Sequence, residues 1–343
     1  MTADQALSWF ERLTGFREED HATTQGRLQV DGTRLRSTVN GRSWSIGSLE
    51  LVSLQTLRER ARSHAEAPGQ LRVRVLEGDA RALHLQPALR GALFQVASQF
   101  NLLEMTFPHV TPEHGVTGYQ DDRTQGPACA IAAGAATLYR NYRVPVDGGE
   151  GQTAERQLDG LADLGVALSQ ALALPVSALW TMRNGYALCS DSGLQAITTH
   201  LAGLSPGRRD ALRARLRIGV HSDVEVTDSD TSPGPRVSQA FCSALPVSYS
   251  RVPRPAWQAF ATLVLEAAYE ATLWAALANA QRGGSRTVLL TRLGGGAFGN
   301  DPAWIDAAMQ RALRLFQGIG LDVCIVSHGA PLPSMVALAA SFD

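Results

Sequence analysis

Two hydrophobic periods alternate along the chain, and one stretch shows both. Thr287 to Leu293 is almost wholly apolar or β-branched and predicts a buried strand. A glycine-rich turn follows (Gly294 to Gly299). Behind it Ile305, Ala308, Met309, Ala312, Leu313 and Phe316 recur at the spacing of one helix face. Asn300 or Asp301 supplies the N-cap, and Pro302 takes the first helical position, where its missing N–H costs nothing. A strand that feeds glycines into a helix N-terminus leaves backbone N–H groups unpaired and aimed at one point, which suits an anion such as phosphate. The alternative is a tight turn whose glycines serve backbone geometry only.

The same reading, applied from the start, predicts a small α+β unit over residues 1–65. A helix from Ala6 to Leu13 leads to strands around Arg27–Val30, Arg34–Val39 and Ser43–Ile46, with hairpin signals at Asp31-Gly32 and Asn40-Gly41. A helix from Ser53 to Ala65 closes it, and His64 to Gln70 is the expected boundary. A second domain then fills residues 70–343. Strands are expected at Leu71–Glu77, Ala92–Ala97, Arg217–Val226, Val237–Ser248 and Asp322–Ser327, and a small-residue helix from Pro127 to about Tyr139. Residues 145–217 read as mostly helical (Ala154–Ala173 and Pro206–Leu216), with Trp180–Leu188 as strand or loop. Strands with apolar runs alternating with helices imply a mixed, largely buried sheet between helical layers.

Composition narrows the function classes. The 343 residues carry a net charge of −1, which gives no sign of a nucleic-acid or membrane-surface field. All 31 basic residues are arginine, so no lysine is available as a Schiff-base former, nucleophile or P-loop residue. Cys129, Cys189, Cys242 and Cys324 are widely spaced, without zinc or disulfide patterning, and no metal or cofactor is implied. Trp257–Ala280 is long and apolar but carries Glu266 and Glu270, so it reads as a core helix rather than a membrane span. No signal peptide is visible at the start, and a soluble, reduced, cytoplasmic protein is the expectation.

Four pieces, in order, resemble the macrodomain, the ADP-ribose-binding α/β/α module. Val73–Asp79 is similar to its first long strand ending in Gly-Asp, and Phe94–Asn101 to its next strand and Asn-Ala-Ala-Asn end. Gly115-Val-Thr-Gly118 stands where the family has its first glycine loop. Leu293–Asn300 resembles its Ser-x-Gly-x-Phe-Gly phosphate loop. The pieces cover about half of residues 71–343. The chain departs in keeping only Asn101 of the Asn pair, in lacking consecutive glycines in the first loop, and in an apparent insertion at about 145–217. The glycohydrolase signature of three glycines followed by Gln-Glu-Glu is absent.

The resemblance implies a three-layer α/β/α mixed sheet whose ligand is ADP-ribose or an ADP-ribosylated macromolecule; nucleic acid enters only as a modified substrate. It implies that Asp79 accepts the adenine amino group and that Asn101 orients the distal ribose. Gly115, Val116 and Gly118 would close on the diphosphate opposite Gly294, Gly295, Gly296 and Ala297, with Phe298 against sugar or base. The residues themselves leave other uses open: an Asx-turn for Asp79, a left-handed turn for Asn101, a core position for Phe298. Hydrolysis of an ADP-ribosyl bond needs an oxocarbenium-like transition state and a placed water. Asp122 and Gln125 are the residues expected to place it, with Glu104 and Glu225 behind them. The lysine-adduct mechanism of some macrodomains is excluded here. Two alternatives remain: a non-catalytic reader of ADP-ribose or a related nucleotide signal, and a hydrolase built on Cys129 at a helix N-terminus with His200, His221 or His328.

Overall fold

A computed structural model of the chain describes residues 7–62 and 69–342. Its centre is a seven-stranded sheet: β1 (Ser48–Ser53), β2 (Arg72–Glu77), β3 (Leu93–Ala97), β4 (Arg217–Glu225), β5 (Arg236–Cys242), β6 (Thr287–Leu290) and β7 (Asp322–Ser327). Their spatial order is β1-β4-β5-β3-β6-β7-β2. The first two pairings are antiparallel and the other four parallel. The sheet is therefore mixed, as the apolar strand runs predicted.

Alternation along each strand sends neighbours to opposite faces. Leu93, Ala240, Cys242, Val288, Leu290, Val323 and Ile325 join one core. That core also takes in the helices α1 (Leu54–Arg62), α4 (Arg254–Gln281) and α5 (Pro302–Leu315). Phe94, Phe241, Leu289 and Cys324 face the other way, against the helices α2 (Gln125–Ala132) and α3 (Gly134–Leu138) and the turn Ala80–Leu83. This is the expected three-layer α/β/α arrangement. Helix α4 has the length and hydropathy of a membrane span, yet it lies buried in the first core.

The three-stranded sheet Leu28–Asp31, Arg34–Ser37, Ser43–Ser45 forms at the start of the chain as its hairpin signals require. The expected boundary at residues 64–70 lies mostly outside the described residues. It follows two elements that belong to the large sheet: β1 pairs with β4, and α1 packs on α4. Between 145 and 217 the helix expected from Ala154 begins only at Ala162. Residues 154–161 run instead as an irregular strip, because Gly160 exchanges backbone hydrogen bonds with Phe100 and Arg217. A Cβ at Gly160 would stand 2.7 Å from the Arg217 carbonyl, so the strip packs its backbone directly against the start of β4. Trp180–Arg183 and Tyr186–Cys189 form a hairpin, and Asp191–Ala202 a further helix. The expected helix Pro127–Tyr139 starts two residues earlier and breaks at Ala133 into α2 and α3.

Candidate functional site

Parallel strands aim their carboxyl ends one way, and ligands of open α/β sheets bind beyond those ends where chain connections diverge. From β3 the chain leads out to β4 and β5 on one side, and later to β6 on the other. Beyond these ends opens a cavity of about 310 Å³, within the usual range of small-molecule sites. Ala97 ends β3 and Ser98 follows it, Ala244 follows β5, and Thr291 and Arg292 follow β6.

The glycine-rich turn forms one wall through Gly294, Gly296, Ala297 and Phe298. Gly294 has φ +72° and Gly299 φ +68°. A Cβ on the first would lie 2.4 Å from the Ala244 Cβ, and one on the second 1.8 Å from the Ser248 Oγ. The turn is thus moulded to the segment after β5, and the Ser248 N–H donates to the Phe298 carbonyl at 3.0 Å. The N–H groups of Gly296, Ala297 and Phe298 donate to no acceptor among the described residues. Three consecutive free donors beside a cavity can hold an anion. The N-terminus of α5 itself is taken: the Asp301 carboxylate caps it, accepting from Ala303 N–H at 2.9 Å. Arg292, the cation of this wall, is paired with Asp306.

An aromatic cluster adjoins this wall and shares Phe298 with it. Tyr186 and Tyr249 have ring centroids 5.1 Å apart, and Phe298 lies 5.3 Å from the first and 5.7 Å from the second. The floor carries Gln99, Glu104 and Asp122. Asp122 is half-buried and accepts from Thr124 N–H at 2.8 Å through Oδ1, while Oδ2 has no partner among the described residues. Glu104 is 5% exposed, and its Oε1 has no hydrogen-bond partner among the described residues. Burial pushes its carboxyl well above the usual range, and the nearby Asp122 charge adds to the rise.

The expected site residues divide on this geometry. Asp122, Gln125, Gly294, Gly296, Ala297 and Phe298 line the cavity; Gly295 sits in the same turn. Gln125, however, is committed. Its Oε1 accepts from Ala97 N–H at 2.9 Å and its Nε2 donates to the Gln95 carbonyl at 2.8 Å, so its amide fastens α2 to β3. Asn101 is fully buried away from the cavity wall, bonding Leu103 N–H and the Gln157 side chain. Gln157 donates on to Asn184, and Asn184 to the Pro108 carbonyl, so Asn101 anchors the loop rather than facing a ligand. Asp79 caps the turn Ala80–Leu83 by accepting from Ala82 N–H, outside the cavity.

The first glycine loop already holds an anion. The Glu18 carboxylate accepts from Val116 N–H at 2.9 Å, from Thr117 N–H at 2.7 Å and from the Tyr142 hydroxyl at 2.6 Å. Gly115 (φ +80°) turns tightly around it, Gly118 lies in the following turn, and Gly115, Val116 and Gly118 all lie outside the cavity lining. Glu225 is spent in the same way, accepting from Ser45 N–H and Gly234 N–H. Cys129 is a core residue whose thiol burial pushes well above its usual range, so the Cys129 hydrolase finds no reactive thiol here. Among the described residues no group of three His, Cys, Asp or Glu side chains could hold a metal ion.

No family model matches the chain, and no curated protein matches it in sequence. Similar solved structures do exist. Poly(ADP-ribose) glycohydrolase from Deinococcus radiodurans in complex with ADP-ribose is 13% identical, with a TM-score of 0.43 over 95% of this chain and 97% of that one. The Thermomonospora curvata enzyme is 14% identical, with a TM-score of 0.43 over 94% and 97%. The same enzyme bound to the inhibitor ADP-HPD is 15% identical at a TM-score of 0.40, again over 94% and 97%.

Tyr186 and Tyr249 were outside the sequence expectations, and Glu104 stood behind others. Tyr186 arrives on the hairpin of the 145–217 segment, and its hydroxyl donates to the Met105 carbonyl at 2.5 Å. Nothing local in the sequence marks that long-range meeting.

Proposed function

We propose that this protein binds ADP-ribose, or an ADP-ribosyl group on a larger molecule, in the cavity beyond β3, β5 and β6, and hydrolyses the bond at the distal ribose anomeric carbon. One observation carries this reading: free turn amides, an aromatic cluster and two carboxyl groups meet in one cavity at the carboxyl ends of parallel strands. The diphosphate takes the N–H groups of Gly296, Ala297 and Phe298. The distal ribose lies against Phe298 and Tyr249, and the reacting carbon faces Glu104 and Asp122. The likeness of Leu293–Asn300 to the macrodomain phosphate loop supports the same ligand.

Calorimetric titration with ADP-ribose, ADP and NAD tests the binding half. ADP-ribose is expected to bind most tightly, and Phe298→Ala to weaken it at least tenfold, about 1.4 kcal/mol. Asp79→Ala reports whether the adenine extends to the sheet edge at β2. No heat with any of the three ligands would sink the reading. Binding without turnover of an ADP-ribosylated substrate would leave a reader rather than an enzyme.

A further inference from the structure

The first glycine loop is held by the start of the chain, and not through Glu18 alone. Val116 N–H, Thr117 N–H and the Tyr142 hydroxyl all donate to the Glu18 carboxylate. Trp9 adds two further ties. Its indole N–H donates to the Thr117 carbonyl at 3.1 Å, and its backbone N–H to the Gln120 side chain at 3.3 Å. Gly115 is fitted to the carboxylate, since a Cβ there would stand 2.4 Å from the Glu18 Oε2. Burial, with the Glu18 charge beside it, pushes the Tyr142 phenol well above its usual range, so its O–H stays a donor.

From that carboxylate a line of hydrogen bonds runs to the cavity beyond β3. The Val116 carbonyl accepts from Tyr119 N–H at 3.1 Å, and the Tyr119 carbonyl accepts from Asp122 N–H at 3.3 Å. The buried Tyr119 hydroxyl accepts from Glu104 N–H at 3.0 Å. Tyr119 thus ties down the backbone of both Asp122 and Glu104, two residues of the cavity lining. It rides on the 3-10 turn Thr117–Asp121, whose preceding residue, Val116, supplies no side-chain cap. Such turns have poorer hydrogen-bond geometry than an α-helix, and an anion on their first amides steadies them.

We propose that Glu18 is a positioning residue for the reaction: its carboxylate sets the turn after Gly115 and, through Tyr119, the place of Asp122 and Glu104 against the reacting carbon. The inference rests on the hydrolase reading above. It gives the start of the chain a task in turnover, although none of its atoms touches substrate. Glu18 is half-buried, and with Glu11, Arg17, Glu19 and His114 it lines a second, open cavity of about 570 Å³. Truncating it leaves the Val116 and Thr117 amides and the Tyr142 hydroxyl facing that opening. A small carboxylate from solution can then take its place.

The probe is ADP-ribose carrying 4-nitrophenol at the anomeric carbon of the distal ribose. Hydrolysis joins the water oxygen to that carbon and breaks its bond to the phenol oxygen, giving ADP-ribose, nitrophenolate and a proton. Glu18→Ala is expected to lower kcat by roughly a hundredfold, the cost of misplacing reacting groups by about 1 Å. Calorimetric affinity for ADP-ribose stays within about twofold, because the turn amides of Gly296 to Phe298 are untouched. Formate restores kcat of Glu18→Ala saturably and leaves wild type unchanged, while chloride at equal ionic strength restores nothing. Tyr119→Phe, which removes the acceptor of Glu104 N–H, loses kcat likewise, and formate does not restore it. Should Glu18→Ala not fold, Glu18→Gln keeps the length without the charge and is expected to lose kcat at unchanged affinity. Full kcat in either folded Glu18 variant, or a loss in Glu18→Ala that formate leaves in place, overturns the proposal. Wild type that binds ADP-ribose but releases no nitrophenolate removes the hydrolase reading, and this proposal with it.

Discussion

At the scale of single residues, side chains divide by whether the fold consumes their hydrogen-bonding capacity. Gln125, Asn101, Glu18 and Glu225 are consumed; Glu104 and one oxygen of Asp122 are not. An unconsumed buried acid leaves a mark on stability. The folded protein holds the Glu104 proton more tightly than the unfolded chain, since burial raises its carboxyl. Its contribution is favourable below the unfolded value and is lost as pH rises toward the folded one. Glu104→Gln should therefore match wild type near pH 4 and become relatively more stable as pH rises. The gain is up to about 1.4 kcal/mol per pH unit until the folded value is passed. Urea unfolding at several pH values measures this; a difference independent of pH would mean that folding leaves the carboxyl's hold on its proton unchanged. Local sequence could not separate consumed from free polar groups. Gln125 and Asp122 sit three residues apart in one polar stretch of sequence, and only the placement of β3 beneath Gln125 decides their fates.

At the scale of elements, helix packing on the first face is tied by charge. Glu270 on α4 is 2% exposed and accepts from Arg58 of α1 at 2.6 Å, Arg311 of α5 at 2.8 Å and the Trp274 indole at 3.2 Å. Removing it leaves Arg58 and Arg311 with Asp210 as their remaining anion, at 2.8 Å and 3.4 Å. Glu270→Ala is expected to cost roughly 3–5 kcal/mol in denaturant unfolding, the range for breaking a buried pair. A cost below about 1 kcal/mol would show the cluster to be solvated like a surface pair. The elements most legible in the sequence were those with strong local signals. The β6–turn–α5 unit had an apolar strand, glycines, Asp301 at the N-cap and Pro302 behind it, and it formed as read. β1 escaped because an edge strand with mostly half-exposed residues has a weak hydrophobic pattern. The strip 154–161 was misread because its apolar residues satisfy helical spacing while Gly160 is needed for contact with β4.

At the scale of the whole molecule, the protein keeps its thiols inside. All four cysteines are buried, and burial raises each thiol, Cys242 to about 11. The native protein at pH 8 should therefore react with Ellman's reagent only as fast as it unfolds, and with all four thiols in denaturant. Rapid labelling of Cys129 in the native protein would restore it to consideration. The layered architecture and half of the cavity wall were legible, because strands, glycines and caps are written locally. The aromatic cluster was not, since Tyr186, Tyr249 and Phe298 come from three distant segments. The strand order has a further consequence, for the making of the chain. Among the described residues β2 pairs in the sheet with β7 alone, and Arg72 meets Asp322 across 250 residues of sequence. Contacts of such range form late and slowly. While a ribosome is still short of residue 322, the strand Arg72–Glu77 has no neighbour to accept its backbone. During synthesis this segment, rather than the cavity, is where the nascent chain needs shelter from others of its kind.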